Sequence, residues 1–300
     1  RRFLALAKGH GPDFAQEMCR ASRVLTTRLG LRPDVAENIV NLEGDAQRLA
    51  QELETAQIQW VWFGSDAYPT RLQAILQNDA PPVLFGRGNW TLLDRPGVGF
   101  CGSRKASDKG LNIAERCAKT LSDFKICVVS GYAHGVDMAA HKAALTGGGT
   151  TILVLAEGLL NFKKKAEIDQ ILTDSNYLAI SQFSPKQSWL ARNAMARNAT
   201  IIGLSDAMIL VESGLSGGTF AAGQETLRRK RPLFVVDYAD PVPSAPANPF
   251  FIERGGQPIR GNRTGQPNLD ALLTCVQHQS EPKTATEPSL FDPQPESAIR

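Results

Sequence analysis

Seven short apolar runs, separated by segments of helical length, constrain the fold of this chain most strongly. Most are rich in Val, Ile, Leu and Phe, and they lie at 82–88, 98–101, 125–130, 150–156, 177–181, 207–211 and 232–236. Strands that read as continuous apolar runs are buried on both faces, which is typical of a parallel sheet covered by helices. The pattern predicts an α/β, Rossmann-like fold with a mostly parallel sheet and helices on both faces.

The character of the chain changes at two places and predicts three segments. Residues 1–58 read as short helices and are predicted to form a small helical domain, and 59–263 form the Rossmann-like domain. Residues 264–300 are predicted to hold one short helix, at 268–279, and a tail. Because the tail is rich in Pro, Ser, Thr and Glu, we expect it to be disordered.

Composition excludes several classes of protein. No apolar run approaches the roughly 18 residues of a membrane span, and the N-terminus lacks the small-residue cleavage site of a signal peptide. The five cysteines are scattered without metal-ligand spacing, which indicates a reducing compartment and no metal site. We therefore expect a cytoplasmic protein without a membrane partner or cofactor.

The net charge of +3 does not identify a nucleic-acid binder, although the charge is clustered. Lys163–Lys165 and Arg228–Arg231 are basic runs. Each is compatible either with a solvated helix end or with an anionic partner.

Ligands of doubly wound sheets bind beyond the carboxyl ends of the strands, so the strand-end loops are the places to search. The first loop contains Gly102, Ser103 and Arg104, and its chain then enters a helix past Ser107. The glycine allows close backbone approach, while the hydroxyl and the guanidinium suit a phosphate. Residues 97–102 formally match G-x-G-x-x-G, but the first two glycines precede or begin the strand, so we reject a dinucleotide fingerprint.

The second loop follows the strand at 125–130. It contains Ser130 and Gly131, then Gly135, with Asp137 in the first helical turn and His141 one turn later. Asp137 is compatible with a helix cap and His141 with a packing residue, so both functional and structural roles remain open.

Two further segments complete the set of strand-end candidates. Arg197 and Asn198 lie on a predicted helix, where Arg192 occupies a different face, so only one arginine can readily point into the crevice. Ser216, Gly217, Gly218 and Thr219 open a helix after a strand, which is a favourable position for an anion.

Together these loops predict a site that holds phosphates rather than one that breaks bonds. The sequence offers no cysteine nucleophile and no Ser/His/Asp triad. Aromatic side chains that could stack on bases are Phe183, Trp189, Phe220 and Phe250, although burial in the core is an alternative use for them.

The order of these motifs resembles the DNA-processing protein A (DprA/Smf) family over roughly residues 60–262. The motifs are YPTRLQAILQNDAPPVLFGRG, GSRKAS, SGYAHGVDMAAH, GGTTILVLAEGL, RNATIIGLSDAMILVES and SGGTFAAG. The resemblance implies an extended Rossmann fold that binds single-stranded DNA and loads a RecA-type recombinase, commonly as a homodimer, in recombination and uptake of transforming DNA. A related role in phage defence stays open.

The resemblance also assigns the predicted site to phosphate contacts. The loops that it carries over comprise Gly102, Ser103, Arg104, Ser130, Gly131, Gly135, Asp137, His141, Arg197, Asn198, Ser216, Gly217, Gly218 and Thr219. The sequence departs from the usual family pattern in two places, at LNFKKKAEI after the LAEGL segment and in the glycine loop itself.

The alternative is a nucleotide-binding sensor or an enzyme. Residues 194–225 are similar to the signature of LOG-type nucleotide phosphoribohydrolases, in which an Arg and a Glu act on the glycosidic bond. Here Glu225 lies six residues after Thr219 rather than three, about one helical turn too far for that chemistry. We therefore expect a non-catalytic protein. The tail segment PSLFD at 288–292 is similar to peptides that bind the sliding clamp.

Overall fold

The computed structural model describes residues 25–27, 30–240, 242–262 and 265–280. Much of the first part of the predicted helical domain, residues 1–24 and 28–29, lies outside these residues, and so does the tail from residue 281 with its PSLFD segment. No helix among the described residues has the length and apolar character needed to cross a bilayer.

One nine-stranded sheet organises the described chain, in the order β1-β2-β6-β5-β4-β3-β7-β8-β9. Its strands are β1 Gln59–Trp62, β2 Val83–Gly88, β3 Gly97–Cys101, β4 Cys127–Gly131, β5 Thr151–Val154, β6 Tyr177–Ser181, β7 Ala207–Leu210, β8 Leu233–Val236 and β9 Gln257–Ile259. Strands β3 to β9 pair in parallel, whereas β2 runs antiparallel to both β1 and β6.

Ten α-helices are described. They are α1 Pro33–Asn41, α2 Glu43–Thr55, α3 Thr70–Leu76, α4 Asp108–Asp123, α5 Val136–Thr146, α6 Ala166–Asp169, α7 Ala191–Leu204, α8 Gly218–Arg228, α9 Asn248–Glu253 and α10 Asp270–Ser280. Short 3-10 turns lie at Gln77–Asp79, Trp90–Asp94 and Leu159–Asn161.

Helices cover both faces of the sheet because the central strands are apolar on both sides. In β4, Val128 belongs to a core that includes residues of α4, α5 and α10, while the neighbouring Val129 belongs to a second core that includes residues of α3, α7, α8 and α9. Successive strand residues point to opposite faces, so an unbroken apolar run can serve two cores. The predicted Rossmann-like fold with a mostly parallel sheet is confirmed.

All seven predicted strands are present, and the structure adds β1 and β9 at the two edges. The three-segment division of the chain stays a prediction. Leu53 of α2 and Ile58 pack with β5 and β6, and Leu272 and Val276 of α10 pack with β7 and β8.

The strand order changes direction at β3. The chain proceeds from β3 through β4, β5 and β6 on one side, then crosses to β7 on the other. Such a switch point leaves a crevice beyond the carboxyl ends of the two strands, where the loops lead away in opposite directions. The loops after β3 and β7 both contain predicted site residues.

Candidate nucleic-acid groove

A cavity of about 500 Å³ occupies the crevice between the ends of β3 and β7. Residues from the four predicted segments line it, namely Gly102, Ser103, Arg104, Asp137, Arg197, Asn198, Ser216, Gly218 and Thr219. Parallel strands bring their carboxyl ends to one edge, which explains why segments over a hundred residues apart meet here.

Close packing with the next loop fixes the loop after β3. A Cβ on Gly102 would overlap the side chain of Val136, so the backbone can approach the start of α5 only without one. Gly135 has φ +80 and lies against the carbonyl of Ser103, where a side chain would also be strained. Ser107 caps α4 by accepting a hydrogen bond from the Gly110 amide at 3.0 Å.

Arg104 is exposed beside the cavity. Its guanidinium carbon lies 5.7 Å from the ring centroid of Trp189, which comes from the loop before α7. Trp189 is 50% exposed, so much of the indole remains open to a ligand. A cation against an open aromatic ring offers both a phosphate contact and a stacking surface.

Arg197 lies beneath the loop after β4 and is only 6% exposed. Its Nη1 donates to the Val154 carbonyl at 2.9 Å, and its Nη2 lies 3.5 Å from Oδ2 of Asp137. A Cβ on Gly131 would overlap this guanidinium, so the glycine makes room for the arginine. Burial lowers the pKa of Arg197, while the charge of Asp137 opposes that shift.

The Nε of Arg197 is buried and has no hydrogen-bond partner among the described residues. An unsatisfied buried donor costs free energy. The buried Nε of Arg231 lacks a partner in the same way, although Arg231 does not line the cavity. Arg192, by contrast, is exposed and does not line the cavity.

Two predicted residues, Ser130 and His141, lie below the cavity surface and serve the architecture. The Ser130 hydroxyl lies 2.9 Å from both the Phe100 carbonyl and Oδ1 of Asp137. His141 is fully buried, and its Nε2 donates to the Gly131 carbonyl at 2.5 Å while Nδ1 lies 2.6 Å from the Thr151 hydroxyl. Burial lowers the pKa of His141 to about 4, so the ring is neutral at pH 7.

His141 and Ser130 therefore do not line the cavity, and neither does Ser107. The Ser107 hydroxyl donates to Oε1 of the buried Glu212 at 2.5 Å. The sequence pattern places these residues next to strand ends, but it cannot reveal which side chains turn toward the core.

The glycine loop forms the opposite wall. Gly217 has φ +93 at the N-cap of α8, and Ser216, Gly217 and Gly218 are exposed. Asn198 donates from Nδ2 to the Gly218 carbonyl at 3.3 Å, which links the loop to α7. The first amides of a helix have no intrahelical acceptor, so this wall favours an anion.

Asn248 supports the glycine loop and is a residue that the sequence analysis missed. Its Nδ2 donates to the carbonyls of Val211 and Val236, each at 2.8 Å, and its Oδ1 accepts from the Ser213 amide at 3.1 Å. The Asn-Pro pair that begins α9 is a turn signal, but nothing local indicates its contacts with β8 and with the segment after β7.

The basic run Lys163–Lys165 extends the site. It lines a neighbouring cavity of about 400 Å³, which shares Arg104, Ala133, Trp189 and Arg197 with the first. The two cavities thus form one continuous surface, which we call the strand-end groove. Its described lining holds five Lys or Arg side chains and the carboxylates of Asp137 and Glu157.

Lys165 is fixed within the groove. Its Nζ donates to the Tyr132 carbonyl at 2.8 Å and lies 4.5 Å from the centroid of the Tyr132 ring. Burial lowers the pKa of Lys165 and raises that of Tyr132 to about 12. Tyr132 therefore stays protonated and neutral, and an aromatic ring lies next to the lysine run.

Of the four aromatic candidates, Trp189 alone lines the groove. Phe220 and Phe250 pack with each other and with Phe251, all at centroid distances of 5.2 Å. Phe183 is half-buried and does not line the groove. Met195, which is 45% exposed, also lines the groove, and Leu215, which is 69% exposed, lies between the lining residues Gly214 and Ser216.

The one acid that the resemblance to LOG-type phosphoribohydrolases suggests, Glu225, lies outside the groove. Glu225 pairs with Arg228 and Arg229 and does not line either cavity, and the hydrogen bond from Arg228 lowers the pKa of its carboxyl. Burial strongly raises the pKa of the Cys101 thiol, so that sulfur is not a nucleophile. No described cluster of His, Cys, Asp and Glu is arranged to hold a metal.

The second basic run has a structural use away from the groove. Arg229 pairs with Asp79 at 2.8 Å, and Arg231 donates to the carbonyls of Ser205 and Asp206 at 2.5 and 3.0 Å. These contacts lie where α8 ends and β7 begins, at the opposite end of the strands from the glycine loop.

Fold and groove together define a doubly wound α/β protein with a cationic, aromatic crevice at its topological switch point. The profile of the family described as DNA recombination-mediator protein A matches residues 59–259. The chain therefore belongs to that family, which confirms the resemblance seen in the motifs. Membership of a family of recombination mediators agrees with the prediction of a non-catalytic protein.

Individual relatives agree with this assignment. The chain is 36% identical to DNA processing protein DprA of Streptococcus pneumoniae over 172 residues, which cover 57% of this chain and 60% of that protein. It is 30% identical to Protein Smf of Escherichia coli over 193 residues, which cover 64% of this chain and 51% of that one. The chain thus spans about half to two thirds of these relatives' length.

Two solved structures share the fold. DNA processing protein A of S. pneumoniae superposes with a TM-score of 0.70 at 27% identity, covering 86% of this chain and 88% of that one. DNA processing protein A of Helicobacter pylori, described for its single-stranded DNA binding mode, gives a TM-score of 0.60 at 24% identity, covering 74% and 97%.

Proposed function

We propose that the strand-end groove binds single-stranded DNA and that the protein acts through this binding in recombination. The main support for this proposal is that the groove is continuous. Arg104 and Trp189 line both the cavity beside the glycine loop and the cavity beside the lysine run. Stacking rings beside a row of cations are what single strands need, because their bases are free and their backbone is anionic.

The charges support backbone contact without base reading. Exposed Arg104 and the lysine run are placed for phosphates, and the glycine loop offers helix-end amides. Arg197 also lines the groove, but its guanidinium is buried and paired with Asp137. Such a site predicts strong salt dependence and little sequence preference.

The wider role belongs to the same proposal. A mediator that holds single strands would pass them to a RecA-type recombinase in the cytoplasm, as a homodimer in the way that the family resemblance implies. Uptake of transforming DNA or a defence process would supply the strands.

The proposal is tested by fluorescence anisotropy with a labelled oligothymidylate and a duplex of equal length over a salt series. We expect the wild type to bind the single strand more tightly, and Arg104→Ala to weaken that binding by about tenfold or more. Lys105→Ala is the matched control, since Lys105 is an exposed neighbour that does not line the groove. Equal affinity for both oligonucleotides, or equal effects of the two variants, would contradict the proposal.

A further inference from the structure

A second cavity, separate from the groove, lies between α4 and the ends of β8 and β9. Its volume is about 500 Å³, and it shares no lining residue with the strand-end groove. Volumes of this order are typical of small-molecule sites. The groove-based function makes no use of this cavity.

The charge of this cavity is positive. Lys109, Arg116 and Arg260 line it, together with a single carboxylate, Asp237. Asp237 is already paired with Arg260 at 2.8 Å. Arg116 donates to the neutral carbonyl of Gly265 at 3.1 Å. Neither Arg116 nor Lys109 forms an ion pair with a carboxylate among the described residues.

The remaining wall is apolar. Ile113, Val236, Tyr238, Ile259 and Pro267 contribute to it. The Lys109 ammonium lies 5.2 Å from the centroid of the Tyr238 ring, at the boundary between the two kinds of lining. A ligand that satisfies both must combine an anionic group with a flat or apolar body.

We propose that this cavity is a second ligand site, which takes a nucleotide unit with its phosphate toward Lys109 and Arg116 and its base along the apolar wall. The phosphate would form ion pairs with Lys109 and Arg116, since ammonium and guanidinium groups are the usual protein partners of phosphate. The unit comes either from a free mononucleotide or from one residue of a polynucleotide chain.

Hydrogen bonds through a buried carboxylate connect this cavity to the loop that contains Arg104. The Tyr238 hydroxyl donates to Oε1 of buried Glu212 at 3.0 Å, and the same oxygen accepts from Ser107 at 2.5 Å. Ser107 ends the loop that contains Arg104. A ligand against the Tyr238 ring therefore contacts a side chain only one buried carboxylate away from that loop.

Calorimetric titration with deoxyadenosine 5′-monophosphate tests the site, with deoxyadenosine as the uncharged control. The titration uses the full chain carrying Arg104→Ala, which weakens any binding of the mononucleotide in the groove. We expect the monophosphate to bind this variant and the nucleoside to bind at least about tenfold more weakly.

Adding Lys109→Glu should weaken monophosphate binding by about tenfold or more. Lys119→Glu makes the same charge change on an exposed face of α4, away from this cavity, and should leave binding unchanged. If Lys109→Glu weakens binding of the monophosphate but not of an oligonucleotide, the ligand is a free nucleotide. If it weakens binding of both, the ligand is one residue of a polynucleotide. Equal affinities of the two lysine variants, or no binding by the Arg104→Ala chain, would overturn the proposal.

Failure of this proposal is distinguishable from failure of the groove. Groove binding is measured by the effect of Arg104→Ala on the oligonucleotide in a chain with Lys109 intact. The second site is measured by the effect of Lys109→Glu in a chain that already lacks Arg104.

Discussion

Ser107 and Glu212, 105 positions apart in the chain, form two hydrogen bonds that tie the loop after β3 to the end of β7. The Ser107 hydroxyl donates to Oε1 at 2.5 Å and its backbone amide donates to Oε2 at 2.9 Å. Glu212 is fully buried, so these bonds satisfy a carboxylate that water does not reach. The two walls of the groove are thereby fixed relative to each other.

Replacing Ser107 should destabilise the protein. Ser107→Ala removes both the N-cap of α4 and one hydrogen bond to a buried carboxylate, so we expect a loss of about 1–3 kcal/mol in the free energy of unfolding. Urea unfolding followed by circular dichroism measures the loss. Ser184→Ala, at an exposed serine, is the control and should change little. Equal stability of the two variants would contradict the role given to Ser107.

Trp189 should contribute to DNA affinity through stacking. Trp189→Ala is expected to weaken binding of oligothymidylate by about 1–3 kcal/mol, or roughly 5- to 150-fold, with Trp189→Phe retaining part of it. Trp60→Ala is the matched control, because Trp60 is also 50% exposed but lies on edge strand β1, outside the groove. Anisotropy titrations compare the three variants with the wild type. An equal loss of affinity for Trp60→Ala and Trp189→Ala would contradict a stacking role for Trp189.

The lysine run should set the salt dependence. Each phosphate contact that is removed lowers the slope of log affinity against log salt by about 0.7 for a single strand. We expect Lys163→Ala and Lys164→Ala each to lower the slope by up to that amount, with little dependence on sequence. Affinities measured between low and moderate salt give the slopes. Lys119→Ala, on α4, should leave the slope unchanged, and unaltered slopes for the lysine-run variants would place the strand elsewhere.

His141 should make stability depend on pH. Its folded pKa of about 4 lies below the unfolded value near 6.5, so the folded state resists protonation. The stabilisation is present above pH 6.5 and is lost as the pH falls toward 4, by about 3 kcal/mol in all. Urea unfolding at several pH values should show wild type and His141→Gln converging in acid. His278→Gln, at an exposed histidine in α10, should track the wild type throughout, and a constant gap between wild type and His141→Gln would refute the assignment.

The central fold could be predicted from sequence because its signal is local. Each of the seven buried strands is an apolar run between helix-length segments, and the parallel sheet follows from that alternation. The edge strands were missed for physical reasons. β1 is four residues long with two exposed positions, and β9 has three residues around Pro258, so neither carries a buried apolar run.

The site was predicted only as far as topology allows. Parallel strands must bring the loops with Arg104 and Gly217 to one edge, and the sequence shows which loops follow strands. The direction of a side chain within a loop is a tertiary property. His141 bonds to the buried Gly131 carbonyl, and Asn248 reaches the carbonyls of Val211 and Val236 from another element. Hydrogen bonds with Tyr132 hold the lysine run in place.

Photocrosslinking of a 5-iodouracil oligonucleotide, mapped by mass spectrometry, tests the central claim most directly because it reports which residues touch the bases. We predict crosslinks at Trp189 and Tyr132, because the third aromatic side chain of the groove lining, Phe100, is buried. Excess unlabelled single strand should suppress these crosslinks more effectively than duplex. Efficient crosslinking confined to residues outside the groove, with none at Trp189 or Tyr132, would contradict the account.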